Sequence, residues 1–173
     1  MSTSALIVVD MLRDFVDENG ALYCGDSVKP IVPFIRERLD VFRGMGATVI
    51  YLRDAHDEND KEFERFPAHC VAGSAGSEII PELAPAAGER VIPKKTLSGF
   101  VGTNLAQVLA DGGITEVEVV GVCTSICVMD LVGGLTNRGY KVTVPIRGVA
   151  DFDPEFHQFA LKRMERTYGV RLS

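Results

Sequence analysis

No stretch of this 173-residue chain is long and apolar enough to span a bilayer. The longest apolar run near the N-terminus, Ala5 to Val9, leads straight into Asp10 and Asp14 with no cleavage signal behind it. A membrane partner is excluded on this reading, and the expected location is the cytoplasm. Dense Lys/Arg clusters are also missing. With a net charge of −6 and a pI near 5.1, nucleic acid and anionic lipid are poor partners, which leaves small neutral molecules. The glycine pairs Gly112–Gly113 and Gly133–Gly134 form neither a GxGxxG nor a P-loop, so no nucleotide cofactor is expected. There is no repeat, low-complexity segment or linker, and 46% of the residues are hydrophobic. One domain over residues 1–173 with a real core follows. Cysteine is scarce: Cys24, Cys70, Cys123 and Cys127 in an ordinary-sized domain without an export signal read as free thiols.

What is present is an alternation of strands and helices. Ala5–Val9 reads as a first strand, and Val28, Ile31, Val32, Ile35, Leu39 and Phe42 recur at helical spacing until Gly44 and Gly46 end the run. Strands are further expected at 47–52, 90–92, 117–120, 140–144 and 170–172. Helices are expected at 102–110, from Cys123 to a left-handed cap at Gly139, and from an Asp153–Pro154 cap to Tyr168. The polar stretch 53–85 is too long for an idle connection and is expected to be functional. The fold class is α/β: a doubly wound, mainly parallel six-stranded sheet with helices on both faces, binding ligands beyond the carboxyl ends of its strands.

Three chemically useful residues fall at such strand ends. Cys127 closes the segment 119–128, where a strand turns into a helix; Asp10 closes the first strand; Lys94 follows Arg90–Pro93. A thiol is mostly protonated at neutral pH, so a nucleophilic Cys127 needs a proton acceptor and a nearby positive charge, which Asp10 and Lys94 supply. Taken alone, Asp10 reads equally well as a turn-capping residue; the three together point to covalent catalysis. In the long polar stretch, Asp54, His56 and His69 offer a carboxylate and two imidazoles, a set suited to Zn²⁺, Mn²⁺ or Fe²⁺. A solvated acidic loop with two surface histidines is the alternative. Two of the chain's three histidines lying here favours ligands. Phe15 and Phe66 suit either the core or an apolar substrate wall. Cys24 and Cys70 are expected to be packing, and His157 a helix-surface or cap residue.

The segments Asp10–Phe15, Lys94–Phe100 and Gly121–Val128 resemble the three signatures of the isochorismatase-like cysteine hydrolases, across nearly the whole chain. Asp54–Asp60, Phe66–His69 and 157–161 are similar to segments of the nicotinamidase/pyrazinamidase subgroup. The resemblance implies a catalytic triad of Asp10, Lys94 and Cys127, with Lys94 chosen over Lys95 by the Lys-x-x-x-Ser-x-Phe pattern. It implies a cis peptide between Val122 and Cys123, and an oxyanion hole made by the N–H groups of Cys123 and Cys127. It further implies Phe15, Phe66 and Leu97 as substrate-binding residues, and a metal held by Asp54, His56 and His69 with Glu62 as a fourth contributor, Glu64 being the other choice. Relatives are often homo-oligomers, although no residue here marks an interface.

The implied activity is hydrolysis of nicotinamide to nicotinate and ammonia through a thioester. Ser125 stands where that subgroup usually has aspartate, Leu97 replaces a frequent tyrosine and Gly99 a frequent alanine. A hydrolase of carbamoyl, ureido or other small amides is therefore the second reading. A thiol redox protein is a third, but Cys-x-x-x-Cys lacks redox spacing and would leave Asp10 and Lys94 unexplained. A metal-binding module without catalysis is a fourth.

Overall fold

The computed structural model describes residues 3–173. Strand β1 (Ser4–Val9) lies between β2 (Thr48–Asp54) and β4 (Glu116–Val122); β3 (Arg90–Lys94) is outside β2, and β5 (Lys141–Val144) and then β7 (Arg171–Leu172) are outside β4. All of these pairings are parallel. Six strands match the expected ones. The seventh, β6 (Val149–Ala150), pairs with Gly121 and Val122 at the end of β4 and is too short to announce itself by periodicity.

Being buried on both faces, β1 is apolar at every position from Ala5 to Val9. Its side chains divide by the two-residue period of a strand. Ala5, Ile7 and Val9 join the core beneath α3 (Leu105–Asp111), α4 (Met129–Thr136) and α5 (Pro154–Tyr168). Leu6 and Val8 join the core beneath α2 (Ile31–Gly44), which follows the single turn α1 (Arg13–Val16), through the buried Ile31, Ile35, Leu39 and Phe42 of α2. Helices therefore cover both faces of the sheet, as expected for a doubly wound fold.

The terminating signals hold with small shifts. Asp153 accepts hydrogen bonds from the N–H groups of Glu155 and Phe156 and so caps α5, which Gly169 ends in the left-handed conformation. Helix α2 begins at Ile31 rather than Val28, which lies in a separate turn at Asp26–Val28 ahead of Pro30. Strand β2 runs two residues further than its apolar stretch suggests and takes in Asp54, because that residue pairs with Lys94 on β3. Between β2 and β3 come three short 3₁₀ turns (Lys61–Glu64, Ala75–Ser77, Pro81–Leu83), the first of them enclosed by a bridge between His56 and Val71. None of the helices among the described residues is long and apolar enough to cross a membrane.

Gly121 is the tightest point of the sheet. Its φ of +119° is closed to ordinary side chains, and a Cβ there would run into the carbonyl of Val9 on β1. Gly121→Ala should therefore cost about 3 kcal/mol or more, through backbone strain and separation of β1 from β4. Denaturant unfolding will measure this; an unchanged midpoint would contradict it.

Candidate active site

The strand order 3-2-1-4 decides what meets at the carboxyl edge. Lys94 ends β3, Asp54 ends β2, Asp10 follows β1, and Cys127 sits five residues beyond β4. The order of the chain reverses between β1 and β4, the switch point where open α/β sheets form a crevice. Residues from four parts of the sequence thus become neighbours.

Lys94 is the hub. Its Nζ lies 2.5 Å from Asp54 Oδ1, 2.9 Å from Asp10 Oδ2 and 3.4 Å from Cys127 Sγ, and all four residues are buried. Lys95 points away and pairs with Asp57 at the surface, so the register of the lysine pair is unambiguous. Asp10 has a left-handed backbone (φ +50°), a conformation that aspartate tolerates better than most residues. Its N–H donates to the Leu52 carbonyl and its Oδ1 accepts from the Asp54 N–H at 2.9 Å, which leaves Oδ2 facing Lys94 and the thiol.

The electrostatics follow from this burial. Loss of hydration pushes the Asp10 carboxyl up to about 6, with Asp54 adding to the rise and Lys94 opposing it. Burial likewise drives Cys127 well above the ordinary thiol value; Lys94 pulls it back, while Asp10 and Asp54 add to the rise. For Lys94, the surrounding negative groups outweigh desolvation and keep the ammonium charged. The resting arrangement at neutral pH is then a protonated thiol beside a carboxylate and an ammonium. Such an arrangement can serve as a nucleophile with a base beside it.

The Cys127 loop is tied down by its own polar groups. The Val122–Cys123 peptide is cis, as the resemblance implied. Residues Thr124–Val128 form a π-helical turn, in which the Ile126 and Val128 N–H groups donate to the Cys123 carbonyl and the Ser125 N–H donates to Asp151 at 2.7 Å. Such turns are frequent at functional sites.

Asp54, His56 and His69 also converge, each offering a ligand atom within 4.8 Å of the others. His56 Nδ1 lies 3.1 Å from Asp60 Oδ2, and its Nε2 is buried with no hydrogen-bond partner among the described residues, 3.6 Å from Asp54 Oδ2. His69 Nδ1 lies 2.7 Å from the Pro67 carbonyl, so it donates there and leaves Nε2 as the acceptor. Two oriented imidazoles and a carboxylate, one imidazole nitrogen unpaired, fit a divalent transition metal. Glu62 is buried and lines the same chamber, whereas Glu64 is exposed; Glu62 nonetheless stands outside the tight three-residue group. Asp10, Asp54 and Cys127 are equally close to one another, but the Lys94 ammonium already sits among them.

Cys127, Cys123, Asp54, Glu62 and His69 line one small chamber with a free volume of about 20 Å³, whose apolar wall includes Phe15, Phe66 and Leu97. The three apolar residues expected to contact substrate are therefore all at the site. A model of the isochorismatase domain matches residues 4–173. The chain belongs to the isochorismatase family. Solved structures of similar fold include nicotinamidase PncA from Bacillus subtilis (TM-score 0.93, 32% identity, covering 99% of each chain). Pyrazinamidase from Pyrococcus horikoshii in complex with zinc matches equally well (TM-score 0.93, 32% identity, 99% of each chain). N-carbamoylsarcosine amidase from Thermoplasma acidophilum has a TM-score of 0.90 and 33% identity, over 98% of this chain and 95% of that one.

Several supporting residues of this family member escaped the sequence reading. Asp14 accepts from the Cys70 N–H at 2.7 Å and the Ala21 N–H at 3.1 Å, which fixes the loop carrying His69; only its place four residues after Asp10 could have hinted at this. Asp151 is buried and holds the Cys127 turn through Ser125, from a position no local pattern marks. His157 is not a surface or cap residue: α5 packs over the π turn, and the ring, half-buried, lies 2.9 Å from Thr124 Oγ1. Cys24 lies 3.3 Å from the Cys123 sulfur, both being free thiols, so it packs against the active-site loop.

An acid limb in the pH profile follows from Asp10. The carboxyl must be ionised to accept the thiol proton, so kcat/KM should rise with pH through about 6 and fall below it as Asp10 protonates. A profile that stays flat from about pH 5 to 7.5 would remove Asp10 from the role of base.

Proposed function

We propose that this chain is a cysteine-dependent amidohydrolase that converts nicotinamide to nicotinate and ammonia through a thioester acyl-enzyme. The observation that carries the reading is the buried group in which one ammonium touches two carboxylates and a thiol at the mouth of β1 and β4. No redox pair or purely structural ion pair needs a base aimed at a cysteine.

In this mechanism Asp10 Oδ2 takes the proton from Cys127 Sγ as sulfur attacks the carboxamide carbon. The carbonyl π electrons move to oxygen, which the N–H groups of Cys123 and Cys127 receive. Lys94 stays charged throughout and offsets the negative charge that passes between thiolate, oxyanion and Asp10. The proton on Asp10 goes to the leaving nitrogen, the C–N bond breaks, and ammonia departs. Asp10 then takes a proton from water, hydroxide attacks the thioester, and the C–S bond breaks to release nicotinate and restore the thiol. Asp54, His56 and His69, with Glu62 nearby, are the residues that would hold the metal. When bound, a divalent transition ion supplies an acceptor for the pyridine nitrogen, directly or through water, and so fixes the ring beside Cys127.

Hydrolysis of a carbamoyl or ureido compound is the second reading. Ser125, Leu97 and Gly99 depart from the nicotinamidase pattern; Ser125 and Leu97 line the approach to the chamber, and Gly99 packs tightly against Leu52 and Leu131. Such changes alter which amide fits without touching the triad. Ammonia release from nicotinamide, pyrazinamide, carbamoyl and ureido compounds separates the two readings.

Cys127→Ala should lower turnover about 10⁴-fold or more, while Cys123→Ala, which keeps its N–H, should retain substantial activity. Intact mass during turnover should show an acyl adduct only when Cys127 is present. The reverse ranking of the variants would displace the nucleophile.

Metal removal should affect nicotinamide far more than benzamide, which has the same carboxamide without the ring nitrogen. The purified protein should hold about one equivalent of transition metal, and His56→Ala should lose it while Cys127 remains open to alkylation. Protein that is isolated metal-free, gains nothing from added Zn²⁺, Mn²⁺ or Fe²⁺ and prefers a carbamoyl compound would rule out the nicotinamidase reading and keep the cysteine hydrolase.

A further inference from the structure

The chamber beside Cys127 has a free volume of only about 20 Å³, and it does not end at its own wall. Phe66, Leu97, Ile126 and Phe152 line both the chamber and an adjoining open groove of about 600 Å³, within the size range of small-molecule sites. Beyond that shared wall the groove continues between α4 and α5, past Met129, Phe156 and Phe159. Phe156 and Phe159 are 58 and 57% exposed, among the largest exposures of apolar side chains in the described residues, and Phe152 is 40% exposed. The groove's charged residues are one of each sign, Arg65 and Asp130, so nothing in it selects for an anionic or cationic ligand.

Exposed aromatic area carries a hydration cost unless something covers it. Here the cover is suggested by continuity: a carboxamide seated at Cys127 can extend in this direction only past Phe66, Leu97 and Phe152. Resting on the amidohydrolase reading, we infer that the groove is a substrate subsite and that the enzyme prefers amides carrying an uncharged apolar extension, aryl or alkyl, over the bare head group. The head lies against the catalytic residues, and the extension lies on Phe152, Phe156 and Phe159. The bond broken is unchanged, and the extension leaves with the carboxylate product.

The test compares ammonia release from nicotinamide with that from nicotinamide bearing a phenethyl group on the ring. It also compares phenylacetamide with 4-phenylbutyramide. In at least one pair the extended amide should be favoured about tenfold or more in kcat/KM, and the Phe156→Ser/Phe159→Ser double variant should bring that ratio close to one. Equal rates within both pairs, or a preference that survives in the double variant, would overturn the subsite. Thermal shift of the Cys127→Ala protein by the extended amides, lost when the two serines are added, reads binding without turnover. Binding without hydrolysis would therefore reject the amidohydrolase reading separately from the groove. Sedimentation covers the remaining outcome: self-association that the double variant abolishes, with extended amides giving no thermal shift, would make this face an interface between two copies and overturn the proposal.

Discussion

The Lys94 ammonium, held out of water among Asp10, Asp54 and Cys127, is the interaction on which this active site depends. An unpaired ammonium at that depth would cost several kcal/mol or give up its proton. Two carboxylates keep it charged, and the same crowding raises Asp10 into the range where it can exchange a proton near neutral pH. Stability and reactivity come from one set of contacts. Removing Lys94 leaves two buried carboxylates without their cation, and removing Asp10 or Asp54 weakens the pairing of the ammonium, so each of these substitutions must be judged for folding as well as for rate.

Asp54 gives this cluster a second reach. One carboxylate oxygen is paired with Lys94, and the other faces His56 across 3.6 Å. A metal on His56 and His69 would therefore share a ligand residue with the Lys94 ammonium. The histidine pair and the lysine cluster are linked through a single residue, one that also donates its backbone N–H to Asp10. The loop that brings His69 to this point is anchored by Asp14 and by the bridge between His56 and Val71, which explains how so irregular a stretch can carry well-placed ligands.

The buried polar cluster and the outer apolar wall of the site are built differently. Lys94, Asp54 and Asp10 stand on or directly after paired strands, whose register leaves little freedom. The outer wall comes from loops and from one face of α4 and α5, where Leu97, Ser125 and Phe152 can vary without disturbing the sheet.

The sequence by itself determined the alternating strands and helices and their caps, and it set Asp10, Lys94 and Cys127 near the ends of apolar runs. These are local properties: periodicity, glycine and proline placement, and residues at the ends of apolar runs. The choice of Lys94 over Lys95 and of Cys127 over Cys123 came from the family resemblance. It also marked Asp54, His56 and His69 through the crowding of histidine into one polar segment. Only the tertiary structure decided that Asp54 serves the lysine as well as the histidines, that Lys95 faces solvent, and that Glu62 and not Glu64 is turned inward. Asp14, Asp151 and His157 took their parts only once the chain was folded. The reason is physical. The strand order brings together side chains far apart in sequence, and burial, which sets their charge states, does not exist until the sheet has closed over them.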